Sequence, residues 1–310
     1  AGVVAPWMIE IHRWWLGTMY KVLDANLLGI PGAVRELAPL AARYGFEGIS
    51  LPAAALTDPR AAAEAAACAR DYGLKWGLLA TPVDFFHPSV EGPALEEGLR
   101  TLDRWAATGE RLGVARAYNH VWPSSPDKPF AENMAWHVER LERVQAVLRD
   151  HGIHYGLEFL GPYELRARDS HSFVHTLAGV LAIADAAGGY TGFLFDTYHW
   201  YTGSRRLDDL YLAAARCDRM INVHLNDAVA GLAPDQQRDL IRAMPMTTGM
   251  IDAAMIYGLF RDWGYQGPVM CEPMRPTTYR YATMAAEDSI AEVAAAFARV
   301  EGREPAATWA

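Results

Sequence analysis

The segment Gly192-Phe-Leu-Phe-Asp196 is a short apolar run that ends in a carboxylate. Short apolar runs of this kind are typical of strands buried in a parallel sheet. Three similar runs carry a metal-ligand residue at or near their end: Ile153–Phe159 with Glu158, Met220–Asn226 with His224, and Pro268–Glu272 with Glu272. In a parallel barrel the carboxyl ends of all strands open on one face, where active sites are built. The four side chains are therefore predicted to lie together on that face.

Strand-like and helix-like segments alternate along the whole chain, which predicts a parallel sheet wrapped by helices. The predicted strands are Lys21–Asn26, Gly48–Leu51, Lys75–Leu79, Arg116–His120, Ile153–Phe159, Gly192–Asp196, Met220–Asn226 and Pro268–Glu272. The predicted helices are Ala33–Tyr44, Pro59–Tyr72, Ala94–Leu112, Ala131–His151, Ser172–Ala187, Leu207–Cys217, Ala253–Trp263 and Met284–Val300. Eight repeats favour an α/β fold of one closed (β/α)8 TIM barrel over an open doubly wound sheet. No Gly-x-Gly-x-x-Gly follows the first strand, so a dinucleotide site has no support.

Two segments do not fit the repeat, and the first of them sets the start of the expected barrel domain. Residues 1–18 form a Trp-rich extension, residues 19–302 the catalytic barrel, and residues 303–310 a tail. The extension could cap the barrel, fold over the site or pack against another subunit. The second segment is Asp227–Thr248, a long connection after the seventh strand. Connections of this length are often lids or binding loops.

Composition excludes several classes of protein. The hydrophobic fraction of 51% supports a large core, and 28 Lys and Arg against 37 Asp and Glu disfavour a nucleic-acid partner. Cys68, Cys217 and Cys271 have no paired spacing, which fits a reducing cytoplasm. We expect no membrane partner, since no run approaches the roughly 18 apolar residues of a membrane span. We also expect no signal peptide, since the first residues lack a basic leader before an apolar run.

The four metal-ligand residues have an ordinary explanation one at a time. A carboxylate just past a strand commonly caps the next helix, and a lone histidine there is usually hydrogen-bonded. Their occurrence on four successive strands is harder to explain in that way, because three carboxylates and a histidine repel one another unless a divalent cation lies among them. The oxygen and nitrogen set suits one Mn²⁺ ion best, with Co²⁺, Mg²⁺ or Zn²⁺ also compatible.

Five pieces of the sequence match the motifs of a known family: Gly156-Leu-Glu158-Phe, Phe195-Asp196-Thr-Tyr-His199, Val223-His224-Leu-Asn-Asp227, Thr248-Gly249-Met-Ile-Asp252 and Met270-Cys-Glu272-Pro. They resemble the xylose isomerase-like barrel superfamily of sugar (phosphate) isomerases and epimerases. The resemblance covers roughly residues 20–300 and is most specific from 153 to 275. It implies that Glu158, Asp196, His224 and Glu272 are metal ligands. It also implies that His199 contacts substrate or supports a ligand.

The resemblance implies a reaction as well. In epimerase-like members a metal acidifies the carbon-bound proton beside the carbonyl of a keto sugar or related polyol, by stabilising the enediolate. Two opposed carboxylates act as base and acid. Glu158 and Glu272 match those positions, so each is expected to be both ligand and proton carrier.

Other residues near the predicted strand ends are candidates for substrate contacts. Aromatic faces and isolated donors suit a neutral, hydroxyl-rich keto sugar or cyclitol without an obligatory phosphate. Asp227 is a candidate partner that holds His224. The substrate-binding candidates are His199, His120, Trp122, Arg166, Trp200 and Arg275. Each has an ordinary alternative as a packing or solvated residue, and several arginines together could instead hold a phosphate.

Alternative functions remain open at this point. A lyase starts with the same proton abstraction, as in inosose dehydratases or in enzymes that cleave 3-keto-glycosides or C-glycosides. Relatives that cleave C-glycosides form complexes with a small partner subunit, so such a subunit is also possible here. A homo-oligomer is equally open. Endonuclease IV resembles the chain at Asp196-Thr-Tyr-His199, but its second histidine motif is missing after His224. A sugar-binding barrel without turnover is disfavoured because all four ligand positions are filled.

Overall fold

The computed structural model describes residues 18–302, so the predictions for most of the Trp-rich extension and for the tail lie outside the described residues. Within residues 18–302, no helix is long and apolar enough to cross a membrane. Eight parallel strands form one sheet in the spatial order β3-β2-β1-β8-β7-β6-β5-β4. Their bounds are β1 Tyr20–Leu23, β2 Gly48–Ile49, β3 Lys75–Trp76, β4 Arg116–Val121, β5 His154–Phe159, β6 Gly192–Asp196, β7 Met220–Leu225 and β8 Pro268–Cys271.

The two ends of this sheet meet at Leu79, just after β3. Leu79 pairs in parallel with Ala117 of β4, and its backbone N–H donates to the carbonyl of Arg116 at 2.7 Å. The sheet therefore curls into a barrel, and the predicted fold class is confirmed. Residues 193–195 at the centre of β6 have no solvent exposure, as expected for a parallel strand covered on both faces.

A helix follows every strand of the barrel, as predicted. The helices are α1 Val34–Arg43, α2 Pro59–Tyr72, α3 Pro93–Leu112, α4 Phe130–Asp150, α5 Leu177–Ala186, α6 Leu207–Ala215, α7 Ala253–Asp262 and α8 Ala286–Val300. Glycines end several of them. At the end of α2, Gly73 has a φ of +64° and its N–H donates to Ala69 and Arg70, a conformation that costs glycine little.

Shorter elements correct two of the predicted bounds. The first strand does not reach Asn26, because Asp24 caps the short helix Ala25–Leu28 by accepting a hydrogen bond from Leu27 N at 3.0 Å. Helix α5 does not begin at Ser172, because His171–Ser172 pair antiparallel with Ser124–Ser125. The remaining short helices are Tyr163–Arg166, Thr197–Gly203 and Thr277–Tyr281, and the 3-10 turns are Ala53–Leu56, Cys217–Arg219 and Pro234–Gln236.

The long connection after β7 lies over the carboxyl ends of the last strands. Asp227 pairs with Ala243 through two backbone hydrogen bonds, and Ile241 pairs with Arg275 beyond β8. The connection is thus tied down at both ends. It brings the side chain of Arg242 to the face on which the four metal-ligand residues lie.

Candidate metal centre

Four side chains from adjacent strands meet at the carboxyl end of the barrel. Glu158 lies on β5, Asp196 ends β6, His224 lies on β7 and Glu272 directly follows β8. All four are between 0% and 4% exposed. One ligand atom from each residue lies within 4.8 Å of those of the other three. The structure therefore brings together the four residues that the sequence predicted, and we call them the metal centre.

The polar atoms of two members of this cluster, His224 and Glu158, are left without ordinary partners. His224 Nδ1 lies 3.1 Å from Glu272 Oε1, 3.5 Å from Glu158 Oε1 and 3.8 Å from Asp196 Oδ2. Among the described residues, both ring nitrogens of His224 and both carboxylate oxygens of Glu158 are buried without a hydrogen bond of good geometry. An unsatisfied buried polar group costs about 1–3 kcal/mol. Since metal–ligand bonds are about 2.0–2.6 Å long, two ligands of one ion lie at most about 5 Å apart. The donor set therefore fits one divalent cation.

Burial and neighbouring charges together set the proton affinities in the cluster. Burial alone would raise the pKa of Glu158, but His120 and His224 hold it at about 2. Burial raises the pKa of Asp196 well above its usual range, against the opposing charge of Arg242. Burial would lower the pKa of His224, yet Glu272 and Glu158 raise it well above its usual value. The cluster thus attracts positive charge strongly.

Asp196 is oriented by the short helix Thr197–Gly203. Its Oδ1 accepts hydrogen bonds from the backbone N–H groups of Tyr198 at 2.6 Å and His199 at 2.9 Å, as an N-cap. Its Oδ2 accepts one from Asn226 Nδ2 at 2.9 Å. The helix packs closely on the end of β5, since a Cβ on Gly161 would lie 2.0 Å from the carbonyl of His199.

Arg242, which the sequence reasoning missed, lies beside the metal centre. It comes from the connection after β7 and is 3% exposed. Its Nη1 donates to Asp196 Oδ2 at 3.0 Å and to Glu272, and its Nη2 contacts His199 Nε2 at 3.2 Å. Asp239 fixes it through its carbonyl and its carboxylate. The only signal in the sequence was an arginine in an unusually long active-face connection.

Replacing Arg242 with Met is expected to lower the free energy of unfolding by about 3–5 kcal/mol in the presence of a chelator, because two buried carboxylates lose their partner. Saturating Mn²⁺ should raise the Tm of this variant more than that of the unchanged protein, since a cation restores the missing charge. Thermal unfolding with EDTA and with Mn²⁺ measures both effects.

Arg238→Met is the matched control, because Arg238 lies on the same connection and pairs with Glu164 at the surface. It is expected to change stability by no more than about 1 kcal/mol. An equal response of the Arg242 variant and the unchanged protein to Mn²⁺ would show that Arg242 and the cation do not share these carboxylates.

Two of the predicted substrate-binding histidines contact the cluster. His120 Nε2 lies 3.0 Å from Glu158 Oε2, and the His120 side chain is 38% exposed. His199 lies behind the centre, where Gly161 N donates to its Nδ1 at 3.3 Å and where burial and Arg242 lower its pKa to about 4. His120 is thus the more accessible of the two.

The other predicted candidates lie further out. Trp122 is on the rim, where its Nε1 donates to Asp84 at 2.7 Å and Arg168 stacks on its ring. The indole of Trp200 donates to the carbonyl of Arg206. Arg166 donates to Gly161 and pairs with Asp235, whereas Arg275 stacks on Tyr279. None of these four residues lies in the cluster, so their substrate contacts stay predictions.

Asp227 organises the connection after β7. Its carboxylate accepts six hydrogen bonds from backbone N–H groups, those of Ala228 and of residues 247–251. These bonds tie both ends of the connection together. Asp227 was also predicted to hold His224. Among the described residues, no hydrogen bond joins Asp227 to the ring nitrogens of His224, so this role stays a prediction.

A cavity of about 540 Å³ opens beside the metal centre. It lies between the carboxyl ends of β1 to β4, and we call it the β1–β4 cavity. His120 and His224 form its boundary with the metal centre. The family motifs lie on β5–β8, and of the β1–β4 residues that line this cavity the sequence analysis named only His120 as a candidate.

The fold and site define a class of protein: a (β/α)8 barrel with a buried cluster of metal-ligand residues at the carboxyl ends of its strands. Residues 38–299 match the model of the xylose isomerase-like TIM barrel family, and the chain belongs to this family. No curated protein matches the chain.

Solved structures with the same fold cover almost the whole chain. A xylose isomerase domain protein from Alicyclobacillus acidocaldarius is 25% identical with a TM-score of 0.75, over 92% of this chain and 99% of that chain. The IolI protein, solved with a bound zinc atom, is 16% identical with a TM-score of 0.73, over 93% and 100%. A D-allulose 3-epimerase from Methylomonas sp. is 19% identical with a TM-score of 0.61, over 92% and 99%.

Proposed function

We propose that this chain is a divalent-metal-dependent isomerase or epimerase of a keto sugar or related polyol. The observation that carries the proposal is the buried cluster with unpaired donor atoms, which adjoins an accessible cavity. Glu158, Asp196, His224 and Glu272 would hold one cation. Mn²⁺ is the proposed ion because three of the four ligands are carboxylates, although the zinc in the IolI structure makes Zn²⁺ the first ion to compare.

The reaction requires removal of a proton from the carbon beside a carbonyl. A bound divalent cation supplies Lewis-acid stabilisation of the negative charge that then develops on the substrate oxygens. Glu158 lies on β5 and Glu272 directly follows β8, at the two ends of the arc of strands that carries the cluster. This placement supports proton transfer on two sides of one carbon. As the carboxylate takes the proton, the C–H electron pair forms a new C–C double bond and the π pair of the carbonyl moves onto its oxygen.

Neighbouring residues support this chemistry through position. His120 lies between Glu158 and the β1–β4 cavity, where it can donate a hydrogen bond to a substrate oxygen. Arg242 holds Glu272 and Asp196 in place. The connection that carries Arg242 lies over the face and would exclude water from the reacting carbon.

Removal of the metal is expected to abolish turnover. EDTA dialysis should lower the rate of solvent deuterium entry into a keto sugar at least about a hundredfold, since a metal contributes several kcal/mol to stabilisation of the charge. Addition of Mn²⁺ should restore the rate, and mass spectrometry over a panel of keto sugars and ketocyclitols measures it. A rate that survives chelation, with no metal left in the protein, would contradict the proposal.

The products in the same assay separate isomerisation from elimination. An isomerase or epimerase returns a product of unchanged mass apart from deuterium, whereas a dehydratase loses a water from it. Retention of mass is the expected result. Oligomeric state, a small partner subunit and a cytoplasmic location stay predictions.

A further inference from the structure

The β1–β4 cavity is larger than a bare sugar requires, and part of its wall is apolar. Its volume of about 540 Å³ falls within the roughly 300–1,000 Å³ typical of pockets for drug-sized ligands. The apolar part of its lining comes from the segments after β1, β2 and β3: Leu27, Leu51, Leu78, Pro82 and Val83. Hydroxyl groups placed against this apolar part would lose hydrogen bonds to water, whereas Asn26, Ser50, Thr81 and Asn119 offer polar partners elsewhere on the cavity surface.

The acidic residues of the cavity disfavour an anionic substituent. Among the described residues that line it, none is a lysine or an arginine, whereas Asp24 and Asp84 are both present. Asp84 is held by the indole of Trp122, and Asp24 caps a short helix beside Ser50. A phosphate or carboxylate on the part of the substrate away from the metal centre would face these two acidic residues without a lysine or arginine in the lining to pair with.

The cavity adjoins the metal centre. His224 lines both, and His120 contacts Glu158 from the cavity side. A molecule whose reacting carbon lies at the metal centre therefore reaches the apolar wall with its remaining part. One molecule would occupy both regions.

We infer that the substrate is a keto sugar or ketocyclitol that carries an uncharged, apolar substituent, which occupies the β1–β4 cavity. This inference rests on the proposed function, since that places the keto-bearing carbons at the metal centre. The apolar substituent supplies binding free energy by leaving water, and the polar groups near Asp24 and His120 orient the sugar.

A matched set of ligands tests it. The probes are D-fructose, D-psicose, D-tagatose and L-sorbose, each as the free sugar, the 6-O-benzyl ether and the 6-phosphate. Calorimetry with the full, Mn²⁺-loaded chain measures affinity, and solvent deuterium entry measures turnover. For at least one sugar, the benzyl ether is expected to bind about tenfold or more tightly than the free sugar, since an aromatic ring leaves water. The phosphate should bind more weakly than both.

Ala80, an exposed residue that lines the cavity, allows a charge test with little risk to folding. Ala80→Lys should reduce the preference for the benzyl ether at least several-fold and improve binding of the phosphate. Ala80→Leu, which adds bulk without charge, should keep the order of the three forms. The two variants separate charge from size.

The outcomes distinguish this inference from the proposed function. Tight binding of the benzyl ether without deuterium entry into any sugar would reject the proposed chemistry and keep the apolar site. Equal binding of all three forms, a preference for the phosphate, or no binding of any benzyl ether would overturn the inference. Deuterium entry into the free sugars alone would then leave the proposed function standing.

Discussion

Glu272→Gln and Glu158→Gln are each expected to lower the rate of deuterium exchange about 10²–10⁴-fold, the usual contribution of a positioned acid or base. The amide oxygen of glutamine can still contact a cation but cannot take a proton. Part of the bound metal should therefore remain. Mass spectrometry of the sugar and elemental analysis of the protein measure the two quantities on the same sample.

Glu97→Gln provides the control for this pair. Glu97 is an exposed residue on α3 that pairs with Arg100, so its variant should exchange deuterium at the rate of the unchanged protein. Full activity in Glu272→Gln would remove Glu272 from the proton-transfer step. Loss of activity together with loss of all metal would assign the glutamate to metal binding alone.

Asp227→Ala is expected to cause the largest loss of stability, about 4 kcal/mol or more, because six backbone N–H groups, two of them in buried and four in partly buried hydrogen bonds, lose their acceptor. A loss of this size should lower the Tm by roughly 10 °C. Turnover should also fall, since the connection held by Asp227 carries Arg242. Thermal unfolding and the deuterium assay measure the two effects.

Asp252→Ala is the matched control on the next helix. Asp252 caps α7 and accepts one backbone hydrogen bond, from Met255 N at 2.9 Å. The loss of an N-cap costs about 1 kcal/mol, so its Tm should fall much less. If the two variants have the same stability, the six hydrogen bonds of Asp227 do not hold the connection.

The sequence alone predicted the barrel and the four residues of the metal centre. These properties depend on local patterns: an apolar run reports a buried strand, a glycine reports the end of a helix, and a residue at the end of a strand must lie on the active face. Glu158, Asp196, His224 and Glu272 could be found in this way because each is attached to a regular element. Their proximity then follows from the closure of the barrel.

Tertiary structure alone decided the position of Arg242, the partners of Asp227 and the β1–β4 cavity. Arg242 lies 18 positions after His224 in an irregular connection, where no periodicity relates spacing to direction. The six N–H groups around Asp227 are backbone atoms, which no side-chain pattern marks. The cavity is formed by separate segments after four strands, and its shape depends on how their side chains pack. Each of these features is made by contacts between residues far apart in the chain, so it exists only once the barrel has closed.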